Sequence, residues 1–433
     1  MARQWVAGLV CAASLSLSPA AAADSYVSPA GDDGNPGTEG RPWRTIQRAA
    51  DALSVGGAVH LGPGTYNERV VLSNSGQEGT PLVFVGAPGH TSVLSGAGLP
   101  RSWGLLEMHG RSHVVIDGLK VVDASQVGIL IHESGHVSVR NCHTAGTGSS
   151  GILSWQSHDI VISGNEVEAA CQQGGEESIT VKFDSERVEV AGNHIHHTNN
   201  EGIDVKEGSR HVRVHGNHIH HVERQGLYAD AWDRETGNIR FYDNVVHDCG
   251  FGLAVCAEAG GLLRDVWAYN NVIYNNPGPG LVVADWGRRR ASHRIRDVRF
   301  LHNTLHNNGR RWGGGMLIEN TEAEDVIVRN NIFSSGGPPH ILVNRMPKAL
   351  TVRHNLFHGQ GGFTGEAAIE ADPLFVDAAA DDFHLKAGSP AIDAAGAPWQ
   401  VDVDFEGDAR PTGQEPGTGA APDVGADEYR RDA

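Results

Sequence analysis

The chain is poor in positive charge: 34 Lys and Arg stand against 52 Asp and Glu, a formal charge of −18 over 433 residues. Nucleic-acid binding draws on surplus cations, so that class of function is excluded. Aromatic residues are scarce, at 6 %. Beyond the N-terminus no long run rich in Ala, Glu, Lys and Leu is present, which argues against extended helices. After the first two dozen residues no apolar stretch is long enough for a membrane-spanning helix. Cysteine is also sparse. Cys11 falls in the leader, and Cys142, Cys171, Cys249 and Cys256 remain; export permits disulfides, but single buried thiols are the simpler reading.

Glycine, with 56 residues, is plentiful and implies many tight turns between short strands. The opening MARQWVAGLVCAASLSLSPAAAADS combines Arg3, an apolar run from Trp5 to about Leu17, and small residues through Ala23. This order predicts a secretory signal over residues 1–23 and an extracellular or periplasmic protein. Residues 24–433 are expected to form a single domain, with an N-terminal cap and first coils at 24–110, regular coils at 111–360, and a last coil and cap at 361–433.

A repeat runs through the middle of the chain. Asn141, Asn165, Asn193, Asn217, Asn244, Asn271, Asn303, Asn331 and Asn355 are separated by 24 to 32 residues, and an aliphatic or aromatic residue follows most of them two positions later. Each unit continues into a second short strand near a glycine, as in SITVK, GIDVK, GLYAD, GLAVC and GLVVA. Such a unit cannot bury its apolar face alone, but stacked copies can. The spacing therefore predicts an all-β, single-stranded, right-handed parallel β-helix with an asparagine ladder in one turn. Its core would include Ile203, Val205, Leu227, Ala229, Leu253, Val255, Leu281 and Val283. Residues 43–53 (WRTIQRAADAL) read as an amphipathic helix capping the N-terminal end, and the C-terminal end is expected to close in an irregular cap.

The stretches YVSPAGDDGNPGTEGRPWRTIQRAADAL and GPGTYNERVVL, the Asn coils and the SPAID…DVGADEY ending resemble secreted bacterial β-helix proteins of the pectate-lyase-like superfamily. The resemblance implies the fold. It leaves polysaccharide lyase, glycoside hydrolase, uronate epimerase and receptor-binding protein open. The segment around Asp230, Asp233 and Arg234 is similar to one carrying an Asp-Pro-His-Asp-Arg motif in mannuronan epimerases, but Trp232 stands where that motif has its catalytic histidine.

With the aliphatic residues assigned inward, alternation sends the others outward. One column reads Thr180, Asp204, Tyr228, Ala254, Val282; the next reads Trp155, Lys182, Lys206, Asp230, Cys256, Ala284, Glu319; a third reads Asp184, Gly208, Trp232, Glu258, Trp286. The charged cluster beside Trp155, Tyr228, Trp232 and Trp286 suits an extended sugar chain. Two reactions fit. A lyase acting on a uronate polymer needs a cation for the sugar carboxylate and a base for the α-proton. Lys206 would be that base, its pKa lowered by Lys182, with Asp230 beside it and Ca²⁺ held by Asp204, Asp230, Asp233 and Glu258. Arg289 in the 286–294 loop, and Arg311, would pair with substrate carboxylates. A hydrolase would instead pair Asp230 with Asp204 or Glu258, at a diagonal separation of about 7–8 Å that matches an inverting pair. A non-catalytic carbohydrate-binding protein is the third class. The expected partner is an acidic polysaccharide met by a monomer.

Histidines recur three residues after the ladder asparagines, at His196, His220, His247, His306 and His358, with His197 and His221 forming a shorter column. Zinc ligands must converge, so a linear column is read as a surface ladder produced by the repeat.

Overall fold

The computed structural model describes residues 24–53, 56–359, 361–398, 400–411 and 421–430. The expected leader at 1–23 lies outside them. Three parallel sheets of 13, 11 and 13 strands run the length of the molecule, with one two-stranded antiparallel pair near the C-terminus. One coil comprises Ile203–Lys206, Arg210–His215 and His218–Val222, and the next begins at Gln225–Asp230.

The repeat unit therefore has three strands, where the sequence pattern showed two. The overlooked strand of this coil, Arg210–His215, is separated from the next by Gly216 and Asn217 alone, so the two read as one alternating run. Gly216 has φ of +60°, a conformation glycine adopts without a Cβ penalty. This lets the chain turn the corner there.

The eight core residues named from the pattern are all fully buried. The ladder is present from Asn165 to Asn355, with each side-chain amide donating to the next Asn Oδ1 at 2.8–2.9 Å. Its N-terminal end is shifted by one residue from the sequence expectation. Cys142, not Asn141, occupies the ladder position, and its backbone N–H donates to Asn165 Oδ1 at 2.9 Å. Asn141 turns outward to Asp117. A second, shorter ladder joins Asn276 to Asn308 at 2.8 Å and also ends on a cysteine, with Cys249 N–H donating to Asn276. All four described cysteines are buried free thiols.

The N-terminal cap is the helix Ile46–Ala52, N-capped by the Thr45 hydroxyl, with Ile46, Ala49 and Ala50 buried. Glu68 accepts from the N–H groups of Ile46 and Gln47, satisfying donors that a helix start leaves free. The Gln47 side chain bonds both backbone groups of Val71, and so covers the edge of the 11-stranded sheet. At the other end, the cap folds back along the solenoid as well as following its last coil. Arg410 is buried and reaches Asn270 at 3.0 Å, and Asn270 donates to Val403 O at 2.8 Å.

Candidate functional site

The 11-stranded sheet carries the site on its outer face. Its register pairs Thr180 with Asp204, Asp204 with Tyr228, Tyr228 with Ala254, and Lys206 with Asp230, as the pattern predicted. The outward residues are nevertheless covered. Asp204 is 2 % exposed, Asp230 3 %, Lys182 4 % and Tyr228 4 %. The cover over the lysines comes from the turn before Ile179–Lys182, which brings Glu176 and Glu177 over the sheet.

The buried charges of this face gather in its middle. On one side Val127, Leu130 and Leu153 pack with Trp155. On the other side Tyr228, Ala254, Cys256, Val282 and Ala284 pack with Trp286. Between these patches the Lys206 ammonium donates to Glu177 Oε1 at 2.7 Å and lies 3.2 Å from Glu176 and 3.6 Å from Asp204. Lys182 donates to Glu176 at 2.5 Å and sits 4.6 Å over the Trp155 ring. Glu201 joins from the same coil as Asp204 and pairs with Arg224 at 3.0 Å.

Burial and the crowding of like charges shape the protonation states. Burial, reinforced by Glu177, pushes the Asp204 carboxyl well above the carboxylate range despite Lys206. Burial and Glu177 likewise bring Glu201 to about 7, and burial and Glu258 bring Asp230 to about 7. Lys206 moves opposite to the sequence expectation. Burial opposes its charge, but Glu177, Asp204 and Glu176 outweigh that cost and hold the amine well above its usual range. The sequence reading set Lys182 against it and missed both glutamates. In this state Lys206 is a cation and not a base.

The proposed metal set does not assemble as one cage. Asp230 Oδ1 accepts from the backbone N–H of Trp232 at 2.8 Å and of Glu258 at 3.2 Å. Glu258 takes the Tyr228 hydroxyl at 2.5 Å. Asp233 is exposed and faces Arg234 at 3.7 Å, and Arg234 pairs with Asp184. Glu177 and Glu201, by contrast, both act on the Asp204 carboxyl. All three supply oxygen donors, and Asp204 Oδ1 is buried with no hydrogen-bond partner.

The aromatic residues fall in two groups. Trp155 lies 5.4 Å from the exposed Trp103 and 5.1 Å from Phe183, making a wall beside Lys182. Trp286 donates to Glu319 and packs on Phe251 at 5.8 Å. Arg288, not Arg289, stacks on Trp232 at 5.3 Å. Arg289 and Arg311 are exposed. The 286–294 loop reaches the Glu258 end of the face, where the Arg288 N–H donates to Glu258 O. Glu176, Glu177 and Glu201 escaped the sequence reading. The available signal was length: the coil from Asn165 to Asn193 has 28 residues against 24 in the next, and GGEES lies in the excess.

The histidines do not form one column. Residues two apart on a strand share a face, so His194 and His218 stand beside His196 and His220, with register partners His194↔His218 and His196↔His220. This brings their ring nitrogens together.

A family model described as "Right handed beta helix region" matches residues 104–262 and 231–357, and one described as "Pel9A-like, right handed beta helix region" matches 25–170. The chain belongs to the right-handed β-helix family. It is 26 % identical to the uncharacterized protein YwoF of Bacillus subtilis, over 84 % of this chain and 91 % of that protein. The solved structure of pectate lyase Pel9A superposes with a TM-score of 0.60 at 15 % identity, covering 95 % of this chain and 97 % of that one. A GH136 lacto-N-biosidase from Eubacterium ramulus gives 0.52 at 13 % identity, covering 80 % and 65 %. At these identities the structural likeness is one of fold. No helix among the described residues is long and apolar enough to cross a membrane.

Proposed function

We propose that the protein is a secreted polysaccharide lyase that cleaves a uronate-containing polymer by β-elimination. The observation that supports this most is the buried junction of Lys182 and Lys206 with Glu176, Glu177 and Asp204 beside the Trp155 wall. The two ammonium groups supply positive charge for a substrate carboxylate, which makes its α-proton easier to remove. Asp230, neighbouring Lys206 in register and poised near pH 7, is the group suited to accept that proton. Trp155 offers an apolar face to a sugar ring. Calcium, if bound, would be held by Glu177, Glu201 and Asp204, and would offset part of their negative charge.

A glycoside hydrolase is the second reading. It is favoured by the same Asp230, which burial keeps protonated up to about pH 7 beside Glu258, as a general acid requires. One experiment separates the two: incubation with several polyuronates, with and without a chelator, following both the ultraviolet absorbance of unsaturated uronate ends and the release of reducing ends. Absorbance rising with reducing ends is expected. Reducing ends without absorbance would replace the lyase with a hydrolase, and neither signal on any polymer would leave a carbohydrate-binding protein.

A further inference from the structure

The histidine array lies on a different sheet from the acidic junction. His194 Nε2 lies 2.9 Å from His220 Nε2, and His218 Nε2 lies 2.9 Å from His247 Nε2. Each contact runs diagonally from one column to the other in the next coil. The nitrogens offered by His194, His218 and His220 all fall within 4.8 Å of one another. A tetrahedral zinc site with Zn–N near 2.0–2.1 Å needs ligand nitrogens about 3.3 Å apart, so modest ring rotations suffice.

The far side of the His220 ring, and of the neighbouring His247 ring, is also held. His220 Nδ1 contacts His221 Nδ1 at 2.7 Å, and His247 Nδ1 contacts the Asp248 carboxylate at 2.7 Å. Such partners fix the tautomer and aim Nε2 toward a metal. His218 is exposed and His194 and His220 are partly exposed, so an ion has a path from solvent.

We propose that His194, His218 and His220 form a binding site for one borderline transition-metal dication of the Zn²⁺ class. Imidazole nitrogen selects such ions over Ca²⁺ and Mg²⁺, which prefer oxygen. Neutral imidazole is the form that ligates such an ion, so uptake is expected near and above neutral pH. The bound ion ties adjacent coils together on the face away from the acidic junction, and it is independent of the reaction proposed for that junction.

The test is calorimetric titration of the chelator-stripped full-length protein with ZnCl₂ and, separately, CaCl₂, with Co²⁺ absorption as a report of coordination. One equivalent of Zn²⁺ is expected to bind, with a rise in the thermal midpoint and no matching Ca²⁺ uptake competing with it. His220→Gln and His218→Gln should each weaken binding at least tenfold while leaving the circular dichroism unchanged. Asp204→Asn, at the acidic junction, should leave it intact. The proposal is overturned by absence of Zn²⁺ uptake, or by uptake unchanged in both folded histidine variants. It is overturned equally if Asp204→Asn removes the binding, since the ion would then belong to the acidic junction.

Discussion

Glu177 Oε1 accepts from the Lys206 ammonium at 2.7 Å across 29 residues of chain, from one coil to the next. The pair is buried, so removing one member leaves the other uncompensated, at a cost of roughly 3–5 kcal/mol. Lys206→Met should therefore lower the thermal midpoint and abolish turnover. Adding Glu177→Leu should recover much of the stability without any activity. Recovery of activity in the double variant would remove Lys206 from the chemistry.

Asp230 links the site to pH. Its carboxyl rises from 3.8 to about 7 on folding, so between these values the native state holds a proton that the unfolded chain has released. Stability attributable to this group then falls as pH rises from about 4 to about 7 and levels off above, a change equivalent to roughly 4 kcal/mol. Asp230→Asn retains the acceptor for the amides of Trp232 and Glu258. Its stability advantage over the wild type should grow across that window, as read by denaturant unfolding at a series of pH values. A constant difference would show that the carboxyl is not perturbed.

The ladder makes a contrasting pair. Asn244 Oδ1 accepts from both the backbone N–H and the side-chain amide of Asn217. Asn244→Ala orphans two buried donors, at about 1–3 kcal/mol each. Asn141, one residue off the ladder with φ of +51°, keeps its backbone conformation as Asn141→Gly and loses only its contact with Asp117. That change should cost about 0.5 kcal/mol or less. Equal losses in chemical denaturation would contradict the assignment of Cys142 to the ladder.

Trp155 tests the proposed sugar-binding wall. Trp155→Ala removes the ring beneath Lys182 and the surface shared with Trp103. It should raise KM for the polymer about tenfold or more, the scale of an aromatic contact plus a cation–π pair, with a smaller effect on kcat. An unchanged KM would place the substrate elsewhere.

The fold was legible because its determinants are periodic. Asn165 through Asn355, and the inward Ile203, Val205, Leu227 and Val255, repeat at coil length, and stacking requires that repetition. The site was legible only in part. Register placed Asp204, Lys206 and Asp230 correctly in their columns, since alternation fixes which face each side chain takes. Their burial and protonation depended on Glu176 and Glu177, which arrive from a turn with no period. Their contacts are set by how that turn folds over the sheet. The same limit hid the convergence of His194 with His220, where the relevant spacing is diagonal across two strands and not along one column.

The turn that carries Glu176 and Glu177 has a consequence for the charges on this face. Ladder and core fix the strands, while this turn is tied to the next coil by Glu176 O accepting from Asn200 and by Glu177 accepting from Lys206. The charge states of Lys206 and Asp204, which the strands hold in register, are in this way set by glutamates that the strands do not carry.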